Sequence, residues 1–293
     1  MIAMQSFDII YETCDYPDNP TRLTAGVTAP DRVTPDTGVL LCTHGWGGSR
    51  LRVQNIMEYA PDVLDVVCVG VEYRQSGFAF DPARGDGFDR PYDASFHQVF
   101  DVLNGLRKAL SLYPMADRRR MFHYGSSQGG HIGLLSGIFA PSTFALLYAA
   151  CPIVFLAPTY QVWADRTFAD FELAARDALA MADRIRCPVH IDHGTADEIV
   201  PCDEHGRAMA RKLESLGTPV TATWYEGGDH GLEPASTRLD AFKAAAGPLR
   251  TRRNDVDDDF AQQSVIEIPC ADRILRIDWS RPMNDPELYQ WLG

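Results

Sequence analysis

The sequence predicts an α/β fold: a mostly parallel sheet with helices on both faces. Three observations carry this. Short, almost wholly apolar runs recur at Gly38–Thr43, Val66–Val71 and 121–124. They are too short and too β-branched for buried helices, so they read as strands covered on both sides. Longer segments between them place apolar residues at helical spacing, as in 94–112 with Phe96, Val99, Phe100, Leu103, Leu106 and Leu110, and Pro114 just beyond. Finally, 293 residues with 45% hydrophobic and 23% charged side chains suffice for one sizeable core.

The elements follow in order. Residues 7–12 and 23–28 read as an opening pair of strands. The run Gly38–Thr43 leads into His44-Gly45-Trp46-Gly47-Gly48, and Val66–Val71 is the next strand. After the 94–112 helix, the strand 121–124 enters Gly125-Ser126-Ser127-Gln128-Gly129-Gly130, which opens a helix to about residue 140. Segments 144–150 and 188–192 are further strands. Residues 203–216 form a helix stopped by Gly217. Val220–Tyr225 is a strand, and 234–246 a helix with Pro234 in its first turn. Segment 155–186, rich in Tyr160, Trp163, Phe168 and Phe171, reads as a small cap, too short for a large helical lid. Beyond a main domain at 1–249, the Asp-rich stretch 250–259 reads as an exposed linker. Residues 265–268 and 274–279 then form a C-terminal β-hairpin extension, within 250–293.

Charge and composition exclude several functions. A net charge of −13 leaves no basic stripe for phosphates, so no nucleic acid is expected as partner. The basic cluster Arg118-Arg119-Arg120 reads as a solvated turn. No apolar stretch reaches the roughly 18 residues of a membrane span, so no membrane is expected. The first eight residues lack the basic and apolar regions of a signal peptide, which makes a cytoplasmic location the expectation. There are seven cysteines, an odd number. Cys42, Cys68, Cys151 and Cys187 fall in or beside apolar runs and read as small reduced core residues. No Cys/His spacing suggests zinc.

The chemistry concentrates at Gly125-Ser126-Ser127-Gln128-Gly129, a G-x-S-x-G pattern between a strand and a helix. The turn that lifts such a serine off a sheet edge is so tight that positions two before and two after it must be glycine. Ser126 lacks that spacing, which leaves Ser127 as the nucleophile. A serine hydroxyl needs an adjacent base. Two later strands run into candidates for base and acid: His193-Gly194-Thr195-Ala196-Asp197 and Gly228-Asp229-His230-Gly231. Asp197 and His230 would sit at the same sheet edge as Ser127. Asp192 lies within its strand, Glu198 is one position late, and Asp203 suits the cap of the next helix. The oxyanion donors are expected to be the Gln128 N–H, which comes with the turn, and the Trp46 N–H, from the glycine loop after the third strand.

Together these residues resemble the α/β-hydrolase superfamily, in its prolyl-oligopeptidase-like and esterase branch. The motifs are His44-Gly45, Tyr73-Arg74-x-Ser76-Gly77, the Ser127 turn, His193-Gly194-x-x-Asp197-x-x-Val200-Pro201 and Gly228-Asp229-His230-Gly231. The resemblance spans about residues 36–247. It implies an eight-stranded sheet, no cofactor, and a catalytic triad of Ser127, Asp197 and His230. Only residues 1–35 precede the first motif, so the propeller of the branch's oligopeptidases is expected to be absent. That favours a carboxylesterase for a small-molecule ester of small or medium acyl group, or an O-acetyl group. A serine exopeptidase or amidase is the alternative. A catalytically silent receptor on the same scaffold would ordinarily have lost a triad member. Tyr160, Trp163 and Phe168 are the expected substrate-binding residues. A metallohydrolase using His44, Asp192 and His193 lacks convincing ligand spacing. The sequence is compatible with a homo-oligomer.

Overall fold

The architecture is known from a computed structural model, which describes residues 4–13, 21–81 and 83–293. Met1–Ala3, the start of the segment read for a leader, lie outside them, as does Cys14. In chain order the described elements are β1 (Gln5–Thr13), β2 (Thr21–Ala29), β3 (Gly38–Thr43), α1 (Gln54–Leu64), β4 (Val66–Val71), β5 (Ser76–Asp81), β6 (Asp86–Phe88) and α2 (Phe96–Leu112). Next come β7 (Met121–Ser126), α3 (Gln128–Phe139), β8 (Leu146–Ala150), α4 (Pro158–Ala164), α5 (Asp170–Ala174), β9 (Val189–Gly194), α6 (Gly206–Leu216), β10 (Val220–Tyr225) and α7 (Arg238–Ala245). The chain closes with α8 (Asp259–Gln262), β11 (Val265–Cys270), β12 (Arg273–Asp278) and β13 (Tyr289–Leu292).

Eight strands form one sheet in the order β1-β2-β4-β3-β7-β8-β9-β10. β1, β2 and β4 pair antiparallel, and every later neighbour pairs parallel. Strand alternation explains why the central strands are apolar throughout. In β3, Val39 and Leu41 enter the core under α2, α3 and α6, while Leu40 and Cys42 enter the core under α1 and α7. With both faces buried, neither set of alternate positions can be polar. The six cysteines among the described residues are all free and buried. No helix among the described residues is long and apolar enough to cross a membrane.

Several boundaries differ from the sequence reading. α2 starts at Phe96, because Ser95 and Gln98 form a reciprocal capping box there. α7 starts at Arg238, and Pro234 lies outside it. Thr237 is the cap instead, its hydroxyl accepting the Asp240 N–H at 3.1 Å. α6 begins at Gly206, so Asp203 is not its cap and pairs with Arg207 at 2.7 Å on the surface. β5 and β6, a two-stranded excursion between β4 and α2, were not anticipated.

The larger corrections concern charge and the C-terminus. Arg118-Arg119-Arg120 is not a freely solvated turn. Arg118 holds Asp258 at 2.7 Å and Arg119 holds Asp257 at 3.2 Å. Arg120 is buried, donating to the carbonyls of Leu64 at 3.0 Å and Leu249 at 3.1 Å. Nor is the Asp-rich stretch exposed throughout. Asp258 is buried and caps α8, and buried Asp259 accepts from the Ser142 N–H at 2.7 Å and the Thr143 hydroxyl at 3.0 Å. The expected hairpin is a three-stranded antiparallel sheet, β11-β12-β13.

This small sheet shares the core of the main one. Trp279 is 1% exposed, donates its indole N–H to the Phe139 carbonyl at 2.9 Å, and meets the rings of Phe260 at 5.0 Å and Phe100 at 6.2 Å. Replacing a buried Trp by Ala removes its transfer energy and leaves a cavity. Trp279→Ala is therefore expected to cost about 3–5 kcal/mol of the stability of the whole chain. Urea unfolding followed by circular dichroism checks this. A loss below about 1 kcal/mol, or a separate early transition for the tail, would show the extension folding by itself.

Candidate active site

Ser127 stands between β7 and α3 with φ 59° and ψ −122°, a conformation rare for a non-glycine residue. Its surroundings enforce that geometry. A methyl group on Gly125 would run into the Gly129 backbone, and one on Gly129 into the carbonyl oxygens of Thr43 and His44. The Ser127 N–H donates to the Ala150 carbonyl at 2.8 Å, and its carbonyl accepts from His131 at 3.2 Å.

Gln128 opens α3, and the N–H groups of a helix's first turn have no partner within the helix. Its side chain is fully buried and held on both ends. The amide oxygen accepts from the Tyr92 hydroxyl at 3.0 Å, and the amide nitrogen donates to Gln98 Oε1 at 2.8 Å and Ser95 Oγ at 3.3 Å. On the facing loop, a Cβ added to Gly45 would sit 3.3 Å from Ser127 Cβ. The Tyr73 hydroxyl pins that loop through the His44 carbonyl at 2.7 Å and the Gly45 carbonyl at 3.3 Å. Trp46 packs its ring against Tyr92 at 4.6 Å and Trp163 at 6.1 Å.

Asp197 lies just past β9. Its Oδ2 meets His230 Nδ1 at 2.7 Å and His193 Nε2 at 3.2 Å, while its Oδ1 accepts the N–H groups of Ile199 and Val200, each at 2.9 Å. Burial opposes the charge on Asp197. Hydrogen bonds from His193 and His230, the positive character of His230 and the Val200 N–H outweigh it and hold the carboxyl well below the usual range. The His230 loop is pinned in turn. Arg238 donates to the His230 carbonyl at 2.5 Å, and Asp229 Oδ1 accepts the Gly231 N–H at 2.7 Å.

The other acids are occupied elsewhere. Asp192 bonds the Tyr148 hydroxyl and meets His190 Nε2 at 3.0 Å, and Glu198 is exposed. Among the described residues, the grouping of potential metal ligands is Cys151, His193 and Asp197, and it includes neither His44 nor Asp192. Burial pushes the Cys151 thiol up to about 12, and Asp197 already accepts four donors, so that trio is poorly suited to a cation.

Ser127 and His230 open into one cavity of about 670 Å³, bounded by the loop Gly45–Gly48. Of the expected substrate-binding residues, Trp163 lines it. Tyr160 and Phe168 do not. Tyr160 is buried, its hydroxyl at 3.1 Å from the Ile199 carbonyl and 3.2 Å from His205 Nε2. Phe168 is buried between the guanidiniums of Arg166 at 4.3 Å and Arg176 at 4.7 Å. The sequence reading missed Phe88, Ile199, Arg52, Asp86, Arg90 and Arg238, all of which face the cavity. One signal was available: residues 72–95 form a long aromatic-rich connection, of the kind that carries binding groups.

A serine on a strained turn, an acid–imidazole pair and a glycine loop beside one cavity define a serine-hydrolase site on an α/β-hydrolase fold. Residues 85–247, more than half of the chain, match the Prolyl oligopeptidase family, and the chain belongs to that family. Its structure is similar to the acylaminoacyl peptidase of Pyrococcus horikoshii, with TM-score 0.67 and 17% identity over 87% of this chain and 42% of that one. It is also similar to a puromycin-hydrolyzing peptidase of Mycobacterium tuberculosis (TM-score 0.60, 21% identity, 82% of this chain and 38% of that one). A third is the S-formylglutathione hydrolase of Staphylococcus aureus (TM-score 0.62, 16% identity, 85% of this chain and 98% of that one). At such identities the likeness is one of fold. The chain spans less than half the length of either peptidase. No curated protein matches it.

Besides His193, three fully buried histidines brace the site. His123 Nε2 lies 2.9 Å from the Thr43 hydroxyl, His131 joins Ser95 at 3.1 Å and the Arg176 carbonyl at 2.7 Å, and His44 lies under Tyr73. Burial pushes His123 and His131 down to about 3 and His44 down to about 4. In the unfolded chain a histidine takes its proton near about 6.5. The unfolded state therefore binds more protons below that pH, and stability falls as pH drops from about 6.5 toward 4. Each such group steepens the fall by at most about 1.4 kcal/mol per pH unit. His123→Gln is expected to flatten the slope of urea-derived stability between pH 6.5 and 4. An unchanged slope would remove His123 from this account.

Proposed function

We propose that this chain hydrolyses carboxylic esters of small or medium acyl groups, including O-acetyl esters, through an acyl-enzyme on Ser127. The observation that carries the reading is the 2.7 Å bond between His230 and Asp197, with the imidazole opening into the same cavity as Ser127. With Nδ1 engaged by Asp197, Nε2 of His230 is left to take the Ser127 proton. Ser127 Oγ attacks the ester carbonyl, and the oxyanion is met by the N–H groups of Gln128 and Trp46. His230 then returns the proton to the departing alcohol. Water repeats the sequence on the acyl-enzyme and frees the acid.

The cavity wall supports short acyl groups. Of the expected cap, the short helix α4 reaches the cavity through Trp163, α5 packs on the C-terminal sheet with Phe171 against Trp291 at 4.7 Å, and Tyr160 and Phe168 are spent on core packing rather than on enclosing a long chain. Membership of the Prolyl oligopeptidase family supports peptide or amide hydrolysis as the second reading. The same triad serves both, but an amide needs a well-placed proton for a poorer leaving group.

Ser127→Ala is expected to lower turnover by at least about 10⁴-fold with the fold retained, and a fluorophosphonate should label Ser127 alone. The two readings separate on kcat/KM for acetyl, butyryl and palmitoyl nitrophenyl esters set beside alanyl- and prolyl-nitroanilides. Short esters are expected to lead. If an aminoacyl anilide is the best substrate, the peptidase reading replaces the esterase one.

A further inference from the structure

The cavity beside Ser127 carries an excess of positive charge in a chain whose net charge is −13. Its lining has three arginines, Arg52, Arg90 and Arg238, against one carboxylate, Asp86. That carboxylate is already taken twice: Arg84 lies 3.3 Å and Arg52 3.5 Å from its Oδ2. Arg90 and Arg238 form no ion pair among the described residues. Asp89, the nearest acid in sequence to Arg90, accepts its backbone N–H at 2.9 Å, while the Arg90 guanidinium lies 5.0 Å from the Phe88 ring. Arg238 spends one N–H on the His230 carbonyl, and its Nε is buried without a partner.

Arg90 is exposed and Arg238 half-buried, both on the cavity lining, and with no carboxylate left there to balance them their charges favour an anionic group in the cavity. The geometry points to a substrate that carries a carboxylate, on its acyl chain or on its alcohol, held by Arg90 in a cavity whose lining also includes Arg52 and Arg238. The inference rests on the hydrolase reading of the same cavity and narrows it. The planar fork of a guanidinium matches a carboxylate with two parallel hydrogen bonds, which a point charge does not. The same field repels a cationic group, so a free α-amino group next to the scissile bond is disfavoured.

Arg90 is the residue to test, because Arg238 also holds the His230 backbone. Three aryl acetates of similar shape are compared, each rate taken relative to that ester's own hydroxide-catalysed hydrolysis so that leaving-group differences cancel: 4-acetoxybenzoate, its methyl ester, and a trimethylammonium analogue. Monophenyl adipate against phenyl hexanoate places the carboxylate on the acyl side instead. At low salt, kcat/KM for the anionic member of one pair is expected to exceed that of its neutral partner by about tenfold or more, with the cation slowest. That ratio should fall about tenfold in Arg90→Gln, recover in part in Arg90→Lys, and shrink as salt screens the field. A wild-type ratio near one in both pairs, or a ratio unmoved by Arg90→Gln, overturns the inference. Binding of benzoate and adipate to Ser127→Ala, followed by tryptophan fluorescence, separates this from failure of the hydrolase reading. Anion binding that weakens with Arg90→Gln, without turnover of any ester, upholds the anion site and sinks ester hydrolysis. Turnover without anion preference sinks the anion site alone.

Discussion

The end of β3 and the start of α3 are pressed together with no room for a side chain between them, and the site hangs from that contact. Gly129 lies against the carbonyls of Thr43 and His44, and Gly125 against Gly129 itself. The Thr43 hydroxyl fixes the approach by donating to the Gly129 carbonyl at 2.9 Å, with His123 on its other side. Two consequences follow at once. The left-handed backbone of Ser127, costly for a residue with a side chain, is held by neighbours that cannot move apart. The same approach brings the Gly45 backbone beside Ser127, so nucleophile and facing loop are positioned by one contact rather than two.

A second tight approach does the same for the acid and the base. Any side chain on Gly194, at the end of β9, would strike the carbonyls of Gly228 and Asp229. The Asp197 turn and the His230 loop are thereby brought side by side. Asp197 then receives four donors, two from backbone and two from imidazoles. A carboxylate so satisfied tolerates burial and stays ionised, which keeps the His230 tautomer fixed. His193 is fully buried, and its Nε2 also meets the Val200 carbonyl at 2.8 Å. It ties strand, turn and acid together without reaching the cavity.

How much of this was legible in the sequence follows from the range of each constraint. The central strands were readable because burial on both faces leaves an unbroken apolar run. Ser127, Asp197 and His230 stood out because close approach demands glycines at fixed offsets, and glycines show in a sequence. The cavity wall did not stand out. Phe88 and Arg90 at the end of β6, Ile199 from the turn after β9 and Arg238 at the start of α7 are brought together only by the fold, and no local pattern joins them. Tyr160 and Phe168 misled for a related reason: an aromatic on a short helix does not reveal which way its ring points. The charged runs 118–120 and 255–259 each looked solvated when read alone. They neutralise one another across the fold, and a pairing that distant leaves no local trace.

That pairing bears on what the C-terminal residues do for the site. The basic and acidic runs seat the tail against the main domain, and from its last strand a separate series of hydrogen bonds leads inward. The Tyr289 hydroxyl in β13 meets His97 Nε2 at 2.8 Å, and His97 Nδ1 meets Asp93 Oδ1 at 2.6 Å. Asp93 Oδ2 accepts the Gln98 N–H at 3.1 Å, and Gln98 Oε1 accepts from the Gln128 side chain at 2.8 Å. Asp93 is buried, and burial opposes its charge. His97, Arg176 and Arg74 outweigh that and hold its carboxyl well below the usual range. The last strand is thus joined through charged and polar groups to the residue after Ser127. Tyr289 also stacks on Phe100 at 4.6 Å, and Trp291 on Phe96 at 5.5 Å, so the tail covers the outer face of α2 while α2 carries Gln98 toward the serine turn. Buried polar groups in such a series specify one arrangement, because displacing any member strands its neighbour without a partner. The tail is therefore a structural wall of the domain, and the position of Gln128 is set from behind by residues at the far end of the chain.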